Sequence, residues 1–174
     1  MIRRPPRSTP LYSSAASMCI RDSFEIALAA EFVVAAEHAE FFLPEAGLGI
    51  IPDTGAVRLP RILPPAVATE VLIGGRRLDA REAERWGLVN RGVPVADLRA
   101  AALELSGRIS ASAPLAVEAV LAIDRATRHL SLEEAFAHLR SGDLEAYERM
   151  LASEDAEEGL QAFVEKRDPH WQGS

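Results

Sequence analysis

The chain has 174 residues, 48% hydrophobic and 26% charged, with a formal charge of -7. That length buries one sizeable core, so one domain or most of one is expected, while the acidic balance excludes a nucleic-acid surface, which needs clustered Lys and Arg. The single cysteine, Cys19, excludes a disulfide and a cysteine-based metal or nucleophile site, and suits a reducing, cytoplasmic setting.

Residues 1–23 are rich in Pro, Ser and Arg and have neither helical nor strand periodicity. Arg3, Arg4, Arg7 and Arg21 face only Asp22 there, so the remainder is more acidic than the whole. Pro5, Pro6, Ser8 and Pro10 follow Arg3-Arg4 where an export signal needs an apolar stretch, so no targeting signal is read. The segment resembles translated sequencing-adapter read-through, and the expectation is a non-native, disordered arm with Phe24 as an accidental start within a longer protein.

From Phe24 the pattern becomes that of a compact, mostly helical chain. FEIALAAEFVVAAEH combines a helix-compatible opening with an apolar run, Phe32-Val33-Val34, that predicts a buried strand, and Ala39 to Leu43 predicts a second. Ile26 to Ala36 is the longest apolar run, but Glu31 interrupts it and it falls far short of the roughly 20 residues of a membrane span. PEAGLGIIPDTG is dense in turn formers, and loops so punctuated often carry function.

Short helices are predicted over Val57 to Leu63 and Ala66 to Ile73, divided by Pro64-Pro65 and closed by Gly74-Gly75. Asp79 caps a third helix to Trp86, stopped by Gly87, and Leu88 to Val93 predicts a strand. Val95 to Ile109 and Pro114 to Arg128 read as helices. Ser131 and Glu134 form a capping box ahead of Phe136, Leu139, Tyr147 and Met150 on one helix face. A last helix runs from about Glu154 to Arg167.

Two glutamates stand in apolar settings: Glu25 between Phe24 and Ile26, and Glu45 after Phe41-Phe42-Leu43-Pro44. An apolar pocket disfavours the charged carboxylate and so suits it to hold or give a proton near neutral pH. In a charged chain most glutamates are solvated surface groups, and composition alone does not set this pair apart. FEIALAAEFVVAAEHAEFFLPEAGLGIIPDTG resembles the active-site stretch of the crotonase superfamily, in which one catalytic glutamate sits in a helix and a second follows a proline twenty residues later. Glu25 and Glu45 have that spacing. The likeness continues through GGRRLDAREAERWGLVNRGV to SEDAEEGLQAFVEKRDPHW and spans residues 24–174.

The resemblance implies an α/β fold, the C-terminal part of a crotonase-like ββα-superhelix, with residues 24–94 in the core and 95–174 as a helical trimerisation and site-covering region. It further implies an acyl-CoA hydratase or dehydratase, active as a homotrimer or dimer of trimers, with coenzyme A entering only as part of the substrate. Glu25 would activate water and Glu45 supply the α-proton. Pro44 and Gly49 would shape the acyl pocket; turn-making alone accounts for both equally well. Thr54 and Gly55 precede a helix whose N–H groups could face an anion, although an N-cap by Thr54 is the commoner role. Lys166 would meet a CoA phosphate, or be simply solvated. Trp86 and Trp171 read as packing residues more readily than as a cage for a trimethylammonium group. His38, His129, His138 and His170 show no metal-ligand spacing, and no metal is expected.

Two departures stand out. The family's glycine-rich run is replaced by Arg21-Asp22-Ser23, with Asp22 at the glycine whose N–H forms half of an oxyanion hole. The other half belongs to a part of the family's chain without counterpart here, so the chain as written is expected to be inactive. Between Pro52 and Arg58, DTGAV is one residue shorter than the family loop. Within the family an isomerase or hydrolase is the alternative, though paired glutamates favour hydration; outside it, the alternative is a non-enzymatic helical interaction module.

Overall fold

The computed structural model describes residues 20–174. Of the segment set apart by composition, residues 1–19 lie outside that range, and Ile20 is already helical. The chain forms two compact units that divide inside one helix, the first reaching Glu104 and the second running Leu105–Ser174.

In the first unit α1 (Ile20–Ala29) sends Phe24 and Leu28, one turn apart, into the core, where Phe24 meets Phe41 edge-on with ring centres 5.4 Å apart. β1 (Val34–Ala36) pairs in parallel with β4 (Arg91–Val93), Val34 opposite Arg91. The strand therefore starts two residues beyond the expected Phe32, which is 42% exposed. Its position is fixed by Asn90, whose side chain accepts the Val33 N–H at 2.7 Å while its own N–H donates to the Val33 carbonyl at 2.7 Å. β2 (Glu40–Phe41) pairs antiparallel with β3 (Leu78–Asp79), and Arg77 seals this edge, its guanidinium 3.6 Å from the Phe42 ring centre and 2.8 Å from Glu40.

α2 (Asp53–Ile62) starts four residues before the expected Val57. Pro52 is its N-cap, so the Thr54 cap expected from sequence does not form; Asp53 instead places its carboxylate in the first turn, where the helix dipole favours it. α3 (Pro65–Gly74) opens on a proline and ends at Gly75 with φ 67°. Asp79 caps α4 (Ala80–Arg85) by accepting the Glu82 N–H at 2.7 Å, as expected. Leu88 and Val89 return their N–H groups to Ala83 and so do not extend β4 backwards. The core is drawn from these elements other than β4, with Leu43, Leu59, Ala68, Val71, Leu78 and Ala83 essentially inaccessible. A 3-10 turn, Val95–Asp97, precedes α5 (Leu98–Ser110).

The second unit packs α6 (Pro114–Thr127) against α7 (Leu132–Leu139) and α8 (Glu145–Leu151). The Ser131–Glu134 capping box forms in both directions. Phe136, Leu139, Tyr147 and Met150 do not share one helix: Gly142 at φ 81°, with the Asp143 N–H on Ser141 Oγ, separates α7 from α8. α9 (Glu154–Glu165) is closed by Lys166 at φ 53°. The tail then folds back along it. Buried Asp155 accepts the N–H groups of Gln172 and Gly173 at 2.7 and 2.9 Å, and Trp171 lies over Gly159 and donates Nε1–H to the Ala111 carbonyl at 2.8 Å.

Candidate functional site

Glu25 is half-buried, one turn before Leu28 on α1. Its Oε1 accepts the N–H of Gly55 at 2.9 Å. Gly55 is the third residue of α2, one of the first four whose N–H has no partner within the helix. The helix start that sequence offered to a ligand anion therefore holds an anion of the chain itself. Leu28 and Arg58 repeat the contact one turn along: the Arg58 guanidinium donates Nη1–H to the Leu28 carbonyl at 3.1 Å.

Glu45 opens a 3-10 turn, Glu45–Leu48, and is 1% exposed. Pro44 precedes the turn at φ -84°, and Gly49 closes it at φ 78°, a left-handed conformation that explains glycine there. Nothing lies within 4 Å of where a Gly49 side chain would begin, so the constraint is conformational and not steric. At Gly55 the reverse holds. A Cβ there would stand 2.6 Å from Leu43 Cδ1 and 3.1 Å from Pro52 Cβ. Leu43 lies two residues before Glu45 and is itself 1% exposed. Gly55 thus has two roles: its N–H holds Glu25, and its bare Cα leaves room for Leu43.

Thr54 is half-buried in the first turn of α2, beside Gly55. Lys166 is exposed at the end of α9, in the second unit. Leu48, Ile50, Ile51 and Val57 remain 72%, 46%, 65% and 56% exposed around the turn and the first turns of α2, an apolar surface next to the two carboxylates in sequence. Trp86 packs against the core of the first unit and Trp171 against α9, so each has a packing role. Among the described residues no group of three His, Cys, Asp or Glu side chains is arranged to hold a metal ion, and no single helix is long and apolar enough to cross a membrane.

Two contributors escaped the sequence reading. Arg58 was one arginine among many, and its partner is a backbone carbonyl that no residue type advertises. Asn90 looked like part of a strand. The spacing Glu25/Leu28 against Gly55/Arg58, three residues on each helix, was the available signal, but it acquires meaning only once α1 and α2 are known to touch.

The enoyl-CoA hydratase/isomerase family model matches residues 11–174, beginning inside the segment that composition sets apart. The chain belongs to this family. The crotonase resemblance carried by the glutamate stretch and the closing helices is confirmed at that level, together with the fold. Enoyl-CoA hydratases of Bacillus anthracis and Mycobacterium tuberculosis superpose with a TM-score of 0.80 each at 36% and 35% identity, covering 88% of this chain and 58% and 60% of theirs. Among curated relatives, carnitinyl-CoA dehydratases of Salmonella arizonae and Citrobacter koseri are 50% and 51% identical over 165 residues. The chain spans 63% of the length of these family members, while 94% of this chain is matched.

Proposed function

We propose that the intact protein hydrates and dehydrates α,β-unsaturated acyl-CoA thioesters, with Glu25 and Glu45 as its acid/base pair. The observation that carries this reading is the setting of the two glutamates: Glu25 is held by the Gly55 N–H, and Glu45 is buried two residues after Leu43, which lies against Gly55. With Oε1 on the Gly55 N–H, Glu25 keeps Oε2 to take a proton from water. The resulting hydroxide adds at the β-carbon, electron density moves onto the thioester oxygen, and Glu45 gives its proton to the α-carbon. The proton taken by Glu25 must be handed back to Glu45 to close the cycle. Dehydration is the same path reversed.

Charge on the thioester oxygen needs preorganised N–H donors. Asp22 stands at the position of the family's glycine, within α1. Pro44, Gly49 and Thr54 are assigned to the acyl side of the pocket, and Gly55 acts on substrate through Glu25. Lys166, exposed, is assigned to a CoA phosphate. The relatives' name supports carnitinyl-CoA and crotonobetainyl-CoA as the substrate pair. Exposed Leu160, Phe163 and Val164 on α9 support a homotrimer or dimer of trimers, and the composition supports a cytoplasmic setting.

The test is turnover of crotonyl-CoA and crotonobetainyl-CoA by the intact protein and by its Glu25→Gln and Glu45→Gln variants. Each substitution is expected to lower kcat by roughly 100- to 10,000-fold with the fold unchanged. Unchanged turnover in either variant removes that glutamate from the site. No turnover by a normally folded wild-type protein removes the hydratase reading and leaves an isomerase or hydrolase of the same family, or the helical interaction module.

A further inference from the structure

Beyond the two carboxylates, we propose that Arg58 is a positioning residue for Glu25; the inference rests on the hydratase reading above and deepens it. Glu25 is tied to α2 by the 2.9 Å bond from the Gly55 N–H. Phe24 and Leu28 anchor α1 in the core, but a single hydrogen bond at a half-buried position does not by itself set the register of α1 along α2 to within fractions of an ångström. Arg58 adds a second tie. It lies three residues after Gly55, so both sit on the same face of α2, and its target, the Leu28 carbonyl, lies three residues after Glu25 on α1.

The two bonds form a matched pair, one turn apart on each helix and running in the same sense along the seam. One bond fixes a point, whereas two fix a direction. The chemistry of the contact also suits its place. Leu28 is among the last four residues of α1, whose carbonyls have no partner within the helix, and a cation there complements the negative end of the helix dipole. Glu25 meanwhile puts an anion at the positive end of α2. Arg58 is itself exposed, so its part in holding the seam comes from this bond and not from filling the core. It touches neither the reacting atoms nor Glu25 and acts through the register of α1.

The experiment compares Arg58→Met, which keeps an apolar stem and removes every donor, with Arg58→Lys, which keeps one cationic donor, in the intact protein. Arg58→Met is expected to lower kcat about ten- to a hundredfold with KM within about threefold, the signature of a misaligned reacting group and not of weakened substrate binding. Arg58→Lys is expected to recover part of the loss. In the Glu25→Gln background Arg58→Met is expected to cost nothing further, because the group it positions is already disabled. Amide exchange over residues 53–59, read by mass spectrometry, is expected to speed up in both Arg58→Met and Glu25→Gln, since each loosens the Gly55 contact.

Wild-type kcat in Arg58→Met, or losses that multiply with those of Glu25→Gln, overturns the proposal. If Glu25→Gln itself leaves turnover intact, the catalytic reading fails separately, and exchange unchanged by Arg58→Met then overturns the positioning role on its own. Should Arg58→Met not fold, Arg58→Gln is read by the same criteria.

Discussion

A glycine is the most demanding residue of the site, for a steric reason that no backbone angle reveals. Gly55 sits inside a helix, where alanine is ordinarily the better residue by up to about 1 kcal/mol. Here the added methyl would enter the space of Leu43 Cδ1. Gly55→Ala is therefore expected to destabilise by about 1–3 kcal/mol, as overpacking of a filled core does, measured by urea unfolding. Leu43→Val removes the clashing methyl, so the double variant is expected to cost less than the sum of the two single changes. Additive losses would place the strain elsewhere. The sequence displayed Gly55 as one of several turn glycines; only the approach of Leu43 distinguishes it from Gly49, which needs freedom of φ and meets no neighbour.

Among elements, those with their own local signals were legible. Pro114 at a helix start, the Asp79 cap and the Ser131–Glu134 box all specify their helices within a few residues of chain, and all are found. β1 and α2 were displaced by two and four residues because their limits depend on distant partners: Asn90 for β1, and Leu43 with Glu25 for α2. α7 and α8 were run together because Ser141-Gly142-Asp143 interrupts a shared apolar period that looks continuous on paper. The Asn90 contact can be weighed. Asn90→Ala leaves the Val33 N–H without its side-chain acceptor and is expected to cost about 1 kcal/mol, the usual net worth of such a bond. Asn90→Asp, which keeps an acceptor in place, is expected to lose less. Equal unfolding midpoints for wild type and Asn90→Ala would mean water replaces the side chain at no cost.

At the scale of the whole molecule, the tail of the second unit supplies a pH dependence. The Arg167 guanidinium, helped by the His170 N–H, holds the Glu158 carboxyl well below the usual carboxylate range, at about 2. A depressed folded-state value stabilises the fold at pH above the ordinary carboxylate value, and that contribution is lost as pH falls through the window from 4.5 towards 2. Wild type is therefore expected to melt higher than Glu158→Gln at pH 7, with the gap closing across that window. Because the pair is exposed, the gap is expected to be small and to shrink in salt. A gap that widens on acidification would contradict the assignment.

The α1–α2 seam also bears on how chain length can vary within such a family. Each residue turns a helix by about 100°. An insertion between Leu48 and Asp53 lengthens a loop and leaves the phase of α2 untouched. One added between Gly55 and Arg58 swings the guanidinium a quarter-turn or more away from α1 while Glu25 stays bound. Drift in length is thus tolerated on the loop side of Gly55 and resisted on the helix side, so a difference of a single residue between Pro52 and Arg58 is silent or disabling according to which side of that glycine it falls.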